Sequence, residues 1–319
     1  MIWAIGDIHG MLDPLTRLIS KILWFHKRTD YELEKLIFLG DYIDHGPSSK
    51  QVIDYLLDLP CEKIFLMGNH EDLLLQFVNQ SDLFQSFGNV WFRGNGGQRT
   101  ALSFNPNLQL NDNDEDLEPD ALKLEEKYIN FFQNLKLSHE EKIGSQKFAF
   151  VHGLLNREYS ISEQLALKNY HDYHEWLNNN NVWIEDSMLW DRANPKERYA
   201  DFILVHGHIP TPRLDKMWHK IDGYDIASEL PFIKFKTTPD KDLVSYYNAF
   251  QSQYRFEAGI EDMIAINIDT GAVYGHSLSA IGFSEEDIEN QFFQTFKVNV
   301  SNGYRMNNDF DSLKIQFGQ

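Results

Sequence analysis

Six short apolar runs punctuate the chain, and most of them stop at glycine followed by polar residues. They cover residues 2–5, 36–39, 63–67, 148–151, 202–205 and 264–268. Short runs of β-branched and aromatic residues without polar alternation read as strands covered on both faces. Between the early runs the apolar period becomes that of a helix. Leu15, Leu18, Ile19, Ile22 and Leu23 trace one helical face after Asp13-Pro14, which reads as an N-cap followed by proline in the first turn. Residues 51–59 and 71–78 are read as two further helices. Alternating strands and helices imply an α/β core in layers. The late segments 264–268 and 272–280 follow each other closely and are expected to pair as a hairpin.

Three stretches stand outside this alternation. Residues 111–120 form a dense acidic run, read as a solvated loop. Residues 213–262 are rich in Tyr and Phe but weakly periodic, so an ordered insertion or cap is expected there, one that could roof a cleft and contact a protein partner. The tail opens with Ser284, a cap for a short helix with Asp287 three residues on. The expected organisation is a catalytic domain over 1–282 that includes the insertion, with a C-terminal extension, 283–319, packed on it.

Charge and cysteine content narrow the function. Asp and Glu total 48 against 29 Lys and Arg, a formal net charge of −19, and no basic cluster of the kind that nucleic-acid backbones require is present. A nucleic-acid partner is therefore not expected. The single cysteine, Cys61, can form neither an internal disulfide nor a Cys-based zinc cluster, so any metal must be held by His, Asp, Glu or Asn. No apolar run approaches the roughly 18 residues that span a bilayer. No secretory leader is visible at the start, so a cytoplasmic location is expected; an insertion with a tail would also suit a bacterial effector delivered into a host cell.

The chemistry lies just after the strands. Gly6-Asp7-Ile8-His9-Gly10 follows the first run and Gly40-Asp41-Tyr42-Ile43-Asp44-His45-Gly46 the second. Gly68-Asn69-His70-Glu71, His152-Gly153 and His206-Gly207-His208-Ile209-Pro210 follow the next three. Ligands of open α/β sheets bind outside the carboxyl ends of the strands, so these loops are expected to converge. Carboxylate, imidazole and amide oxygen together suit divalent manganese, iron, zinc or cobalt. The donors are too many for one tetrahedral ion and suit two ions about 3.5 Å apart.

These motifs resemble the PPP-type metallophosphoesterases, which include serine/threonine protein phosphatases, bacterial and phage phosphatases and diadenosine tetraphosphate hydrolases. Gly-Asp-x-His-Gly and Gly-Asn-His-Glu stand unaltered, and the likeness runs from about Gly6 to Gly282. Trp-Phe-Arg-Gly-Asn-Gly-Gly at 91–97 and Met-Leu-Trp-Asp-Arg at 188–192 look most like the bacterial and phage branch. The resemblance implies a calcineurin-like fold, a β-sandwich of two mixed sheets flanked by helices. It implies that Asp7 and His9 hold a first metal, that Asp41 bridges, and that Asn69, His152 and His208 complete a second, with manganese expected before iron or zinc. His208 is preferred to His206 because it stands in Gly-His-x-Pro. By the same resemblance His70 is the general acid, Asp44 orients it, and Arg192 grips the phosphoryl group.

The implied activity is a phosphoprotein phosphatase acting on phosphorylated proteins or peptides by direct attack of an activated water. The alternative is a dinucleoside polyphosphate hydrolase or another small phosphoesterase, and a lesser one is a non-catalytic binding protein. One departure is Asp44-His45-Gly46, where the family has Asp-Arg-Gly. Histidine offers one donor at a time, so phosphate binding is expected to be weaker or more pH-dependent unless Arg93, Arg99 or Arg157 substitutes. Trp91, Phe92 and Trp190 are read as core, Glu71 as a helix start, and Asp269 as fixing the turn before Gly271.

Overall fold

In a computed structural model, the structure describes residues 1–79, 90–108, 122–193, 195–211 and 259–300, together with the backbone of 234–237, 245–248 and 253–256. The acidic run at 111–120, His219 and most of 213–262 lie outside the described residues.

The apolar runs become strands within a residue or two of the expected limits. β1 (Ile2–Ile5), β2 (Lys35–Phe38) and β3 (Lys63–Phe65) alternate with α1 (Leu12–His26), α2 (Ser49–Asp58) and α3 (Asn69–Val78). Then come α4 (Gly97–Phe104), α5 (Glu126–Gln133), β4 (Ser138–Ile143), β5 (Gln146–Val151), α6 (Ile161–Leu165), α7 (Tyr170–Asn180) and β6 (Phe202–His206). The chain continues through β7 (Lys234–Thr237), β8 (Ser245–Asn248), β9 (Gln253–Phe256), β10 (Met263–Asn267), β11 (Ser277–Phe283), α8 (Glu285–Glu289) and β12 (Phe292–Asn299). The seven-stranded sheet has the order β3-β2-β1-β11-β12-β9-β8, and the five-stranded sheet β4-β5-β6-β10-β7. The strands β3-β2-β1 and β5-β6-β10 run parallel, and the flanking strands are antiparallel. This is the two-sheet α/β architecture implied by the motifs.

Alternation along the strands explains why the runs lack polar residues. Ile2, Ala4, Ile37, Ile203 and Val205 point between the sheets with Phe148, Phe150, Ile266 and Phe283. Trp3, Ile5, Leu36, Phe38 and Leu204 face the other way, into the core under the helices. The runs in β1, β2, β5, β6 and β10 thus bury both faces and are apolar almost throughout, whereas β3, which opens with Lys63, is only partly buried.

Two local expectations fail. β10 and β11 do not pair; β10 joins β6 and β11 joins β1, in different sheets. Between them the chain turns through left-handed Gly271 and Gly275, with a 3₁₀ turn at Ala272–Tyr274, and crosses the sandwich. Asp13 is not the cap of α1, which starts a residue earlier; its carboxylate pairs with Arg17 instead. At the tail, Ser284 caps α8 by accepting the N–H of Asp287, and β12 lies inside the seven-stranded sheet between β11 and β9. Of the 213–262 segment, β7 extends the five-stranded sheet beside β10, while β9 and β8 extend the other beside β12. No helix among the described residues is long and apolar enough to cross a membrane.

Candidate metal centre

The loops after β1, β2, β3, β5 and β6 meet at the carboxyl ends of the two parallel strand sets. Their backbones are forced. Among the described residues nine non-glycine residues have positive φ, and five are His9, Asp41, Asp44, His45 and His208. Such conformations persist only where surrounding contacts over-determine them, and they cluster at functional sites. Two glycines are required by close approach. A Cβ on Gly207 would lie 2.0 Å from Asp7 Oδ1, and one on Gly68 would lie 2.1 Å from Asp41 Oδ1.

Donor atoms of Asp7, His9 and Asp41 all lie within 4.8 Å of one another, as do those of Asp41, His152 and His208. Asp41 belongs to both groups. His9, His45 and His70 form a third such group. Asn69 joins the second: its Oδ1 is 3.0 Å from His152 Nε2. His206 is buried but turned to the Gly207 carbonyl at 3.0 Å and belongs to none of the groups. The structure thus brings Asp7, His9, Asp41, Asn69, His152 and His208 to one place, with Asp44, His45 and His70 beside them.

The arrangement fits cations. His152 Nδ1 donates to the Leu39 carbonyl at 2.8 Å, so its Nε2 carries a lone pair. That lone pair faces Asn69 Oδ1 and, at 3.4 Å, Asp41 Oδ1. Three acceptor atoms therefore converge where a cation, or a proton held on Asp41, must lie between them. His9 repeats the pattern, with Nδ1 on the Ile43 carbonyl at 3.0 Å and Nε2 3.4 Å from Asp41 Oδ2. Asp7 Oδ2 accepts the backbone N–H of His208 at 2.9 Å, while Asp7 Oδ1 is buried without a hydrogen-bond partner. A buried carboxylate oxygen in that state calls for positive charge. Burial pushes the carboxyls of Asp7 and Asp41 well up, reinforced by Asp269 at Asp7 and by Glu71 at Asp41. Burial also holds the imidazoles neutral, His9 and His208 well below the usual range and His152 at about 3.

His70 stands apart in its connections. Its Nδ1 lies 2.7 Å from Asp44 Oδ2, and Asp44 in turn accepts the Trp91 indole N–H at 2.8 Å and the Thr100 hydroxyl at 2.6 Å. Burial, with Arg192 second, lowers His70 to about 3. Arg192 reaches the site from the loop before β6. Its Nε is 2.9 Å from His208 Nε2, which also lies 3.0 Å from the Trp190 carbonyl and can serve only one of them. Arg157 is engaged elsewhere, paired with Glu197 and lying over Tyr199.

Two residues do more than the sequence indicated. Trp91 is core, against Phe77, but its N–H also fixes Asp44. Glu71 starts α3, yet its carboxylate accepts the N–H groups of Asp41 (2.9 Å), Tyr42 (2.8 Å), Ile43 (3.3 Å) and Gly68 (3.0 Å). It ties the second loop to the third. Thr100 carried no signal, because its partner lies 56 residues away. Asp269 accepts the N–H of Gly271 at 2.9 Å, the turn role expected of it.

Comparison with known proteins decides the family. The calcineurin-like phosphoesterase model matches residues 1–246. The chain belongs to that family. The symmetrical bis(5'-nucleosyl)-tetraphosphatase of Cellvibrio japonicus is 24% identical over 294 residues, 88% of this phosphoesterase and 94% of that protein. The symmetrical enzyme of Legionella pneumophila strain Lens is 38% identical over 73 residues, 23% of this chain and 25% of that one. The asymmetrical enzyme of Oceanobacillus iheyensis is 33% identical over 89 residues, 26% and 36% of the respective chains. In these two relatives the phosphoesterase matches only a quarter to a third of their length. Among solved structures it is similar to a metallophosphoesterase from Sphaerobacter thermophilus (TM-score 0.38, 15% identity, 93% and 87% of the two chains). It is also similar to a cold-active protein-tyrosine phosphatase of a Shewanella species (TM-score 0.41, 14% identity, 94% and 80%).

Proposed function

We propose that this phosphoesterase is a metal-dependent hydrolase of phosphoesters and phosphoanhydrides, with dinucleoside polyphosphates as its substrate class. The observation that supports the chemistry is the sharing of Asp41 between two donor groups beside the His70–Asp44 pair. Asp7, His9 and Asp41 would hold one divalent cation and Asp41, Asn69, His152 and His208 the other. When bound, two such ions supply Lewis acidity that makes water nucleophilic near neutral pH and neutralises phosphoryl charge.

The protein's own groups do the rest. Asp44 fixes His70 through Nδ1, so that Nε2 would be the nitrogen available to the leaving group. His70 then delivers a proton to the departing oxygen as its bond to phosphorus breaks, and the attacking water provides the new P–O bond. Such a positioned acid contributes roughly 10²–10⁴-fold. Arg192 binds the phosphoryl oxygens, giving up its contact with His208. Burial that keeps His70 neutral in the bare site is offset by an incoming polyanion, which favours the protonated acid.

The substrate class is supported by the near-full-length likeness to a symmetrical tetraphosphatase. The phosphoprotein reading is the competing arm of the same test. Chelator-stripped protein reloaded with manganese is offered diadenosine tetraphosphate, a phosphoserine peptide and an aryl phosphate. Chelator-sensitive turnover that favours the dinucleotide is expected. Preference for the peptide would move the enzyme to the phosphoprotein class, and no turnover with any divalent metal would overturn the hydrolase reading.

A further inference from the structure

The third histidine group adds His45, which has no part in the chemistry above, to two residues that do. His9, His45 and His70 have donor atoms within 4.8 Å of one another, and their rings form a triangle with centroids 5.2, 4.8 and 5.0 Å apart, each pair edge to face. Two of the three are already set as ligands. His9 Nδ1 is engaged with the Ile43 carbonyl and His70 Nδ1 with the Asp44 carboxylate, which leaves Nε2 as the donor of each; the His70 ring also meets the Asn95 backbone carbonyl, a contact the ion would displace. Those two nitrogens share a direction, lying 3.4 and 3.9 Å from the same oxygen, Asp41 Oδ2. A histidine whose far nitrogen is held by a carboxylate or carbonyl is the usual form of a metal-bound imidazole, because that bond fixes the tautomer and raises basicity. His45 is half-buried, on left-handed backbone next to left-handed Asp44, and the Gly96 turn closes against its Nδ1.

We propose that His45 completes, with His9 and His70, an alternative seat for the cation at this end of the site, one that favours zinc and silences the enzyme. His9 belongs both to this group and to the Asp7–His9–Asp41 group, and its one free nitrogen can bind one ion. The two seats are therefore mutually exclusive. They also differ in kind. Asp7 and Asp41 offer oxygens, which suit manganese, whereas three imidazoles suit zinc. To grip one ion with bonds of about 2.1 Å the nitrogens must draw in by roughly 1 Å. His45 is the least buried of the three, so its ring would make most of that movement. An ion in this seat withdraws positive charge from Asp7 and occupies the nitrogen with which His70 would protonate the leaving group. Arginine at position 45, the residue of the resembling family, could not form it.

The effect on turnover rests on the proposed hydrolase reading; the seat itself does not. Metal-stripped full-length protein and the variants His45→Asn and His45→Arg are titrated with zinc and with manganese against a chelating dye. One zinc ion is expected to bind at least about 10-fold more weakly in both variants, with manganese affinity within about twofold. The ratio of zinc-loaded to manganese-loaded turnover should rise about 10-fold. Equal shifts for the two metals, or none, would overturn the seat. Should either variant fold poorly by thermal melt, His70→Asn gives the same selective zinc loss if the seat exists and none if it does not. Selective zinc loss in a protein that turns over no phosphoester would sink the hydrolase reading and leave the seat standing.

Discussion

The two walls of the site are built differently. The wall on the seven-stranded sheet carries Asp7, His9, Asp41, Asp44, Asn69, His70 and Glu71, and it braces itself: Glu71 alone holds four backbone N–H groups of its loops. The wall on the five-stranded sheet offers His152, His206 and His208, and two of these are oriented from across the gap. Leu39 fixes the ring of His152, and Asp7 accepts the N–H of His208. The first wall titrates both ways, since burial lowers its His9 and His70 but raises its carboxyls, whereas the second wall carries only lowered histidines. Glu71, pushed up to about 7 by burial, binds more protons folded than unfolded, so its contribution to stability is lost as pH rises from about 4.5 through 7. His152 and His206, lowered by burial to about 3 and 4, bind fewer protons folded, so their contribution is lost as pH falls below about 6.5. The lesson is that one wall can form by itself and the other is completed only when the sheets pack together.

That comparison can be broken or sharpened experimentally. Asp41→Asn removes the group shared by both walls, and manganese-dependent hydrolysis should fall by roughly 10⁴-fold, the loss of several kcal/mol of charge stabilisation; a loss under tenfold would remove Asp41 from the centre. His70→Asn changes only the self-braced wall. Turnover should fall roughly 10³-fold, most for substrates with basic leaving groups, with manganese affinity retained; a loss independent of the leaving group would show that His70 is not the acid. Trp91→Phe keeps the ring against Phe77 but deletes the N–H to Asp44. A drop of about tenfold in kcat with little change in KM is expected, from one hydrogen bond to a charged group; a change in KM alone would argue for a substrate contact instead. His206→Gln tests the other wall. In metal-free protein it should reduce the fall in Tm between pH 7 and pH 4.5 by roughly 5 °C, because the proton that unfolding takes up is gone; an unchanged profile would mean that His206 does not set the acid limb.

The positions of the candidate site loops were legible because each chemistry-bearing motif directly follows an apolar run, and apolar runs of this kind end where a strand leaves the core. Asp7, His9, Asp41, Asn69, His152, His206 and His208 could be placed at strand ends on that basis; the choice of His208 over His206 came from the resemblance. The supports could not. Trp91 looks like any core tryptophan until its N–H is seen at 2.8 Å from Asp44, and Glu71 looks like an ordinary acid in a first helical turn. Their partners lie 47 and about 30 residues away, beyond the reach of any local pattern. The mistaken hairpin has the same cause: proximity in sequence favoured pairing of β10 with β11, while each had a better edge to fill in a different sheet.

The amino-acid sequence by itself determined the layered α/β class, the strand ends from which the donors arise, and the kind of chemistry those donors allow. Residue types and periods are local properties, and burial on two faces leaves no other reading of the runs. Only the tertiary structure decided which donors share an ion, that Asp41 stands between two groups, and that His45 joins His9 and His70 in a third. Those outcomes depend on how two sheets dock and on five left-handed residues held by contacts from distant segments, and distance between donor atoms exists only once the chain has closed on itself.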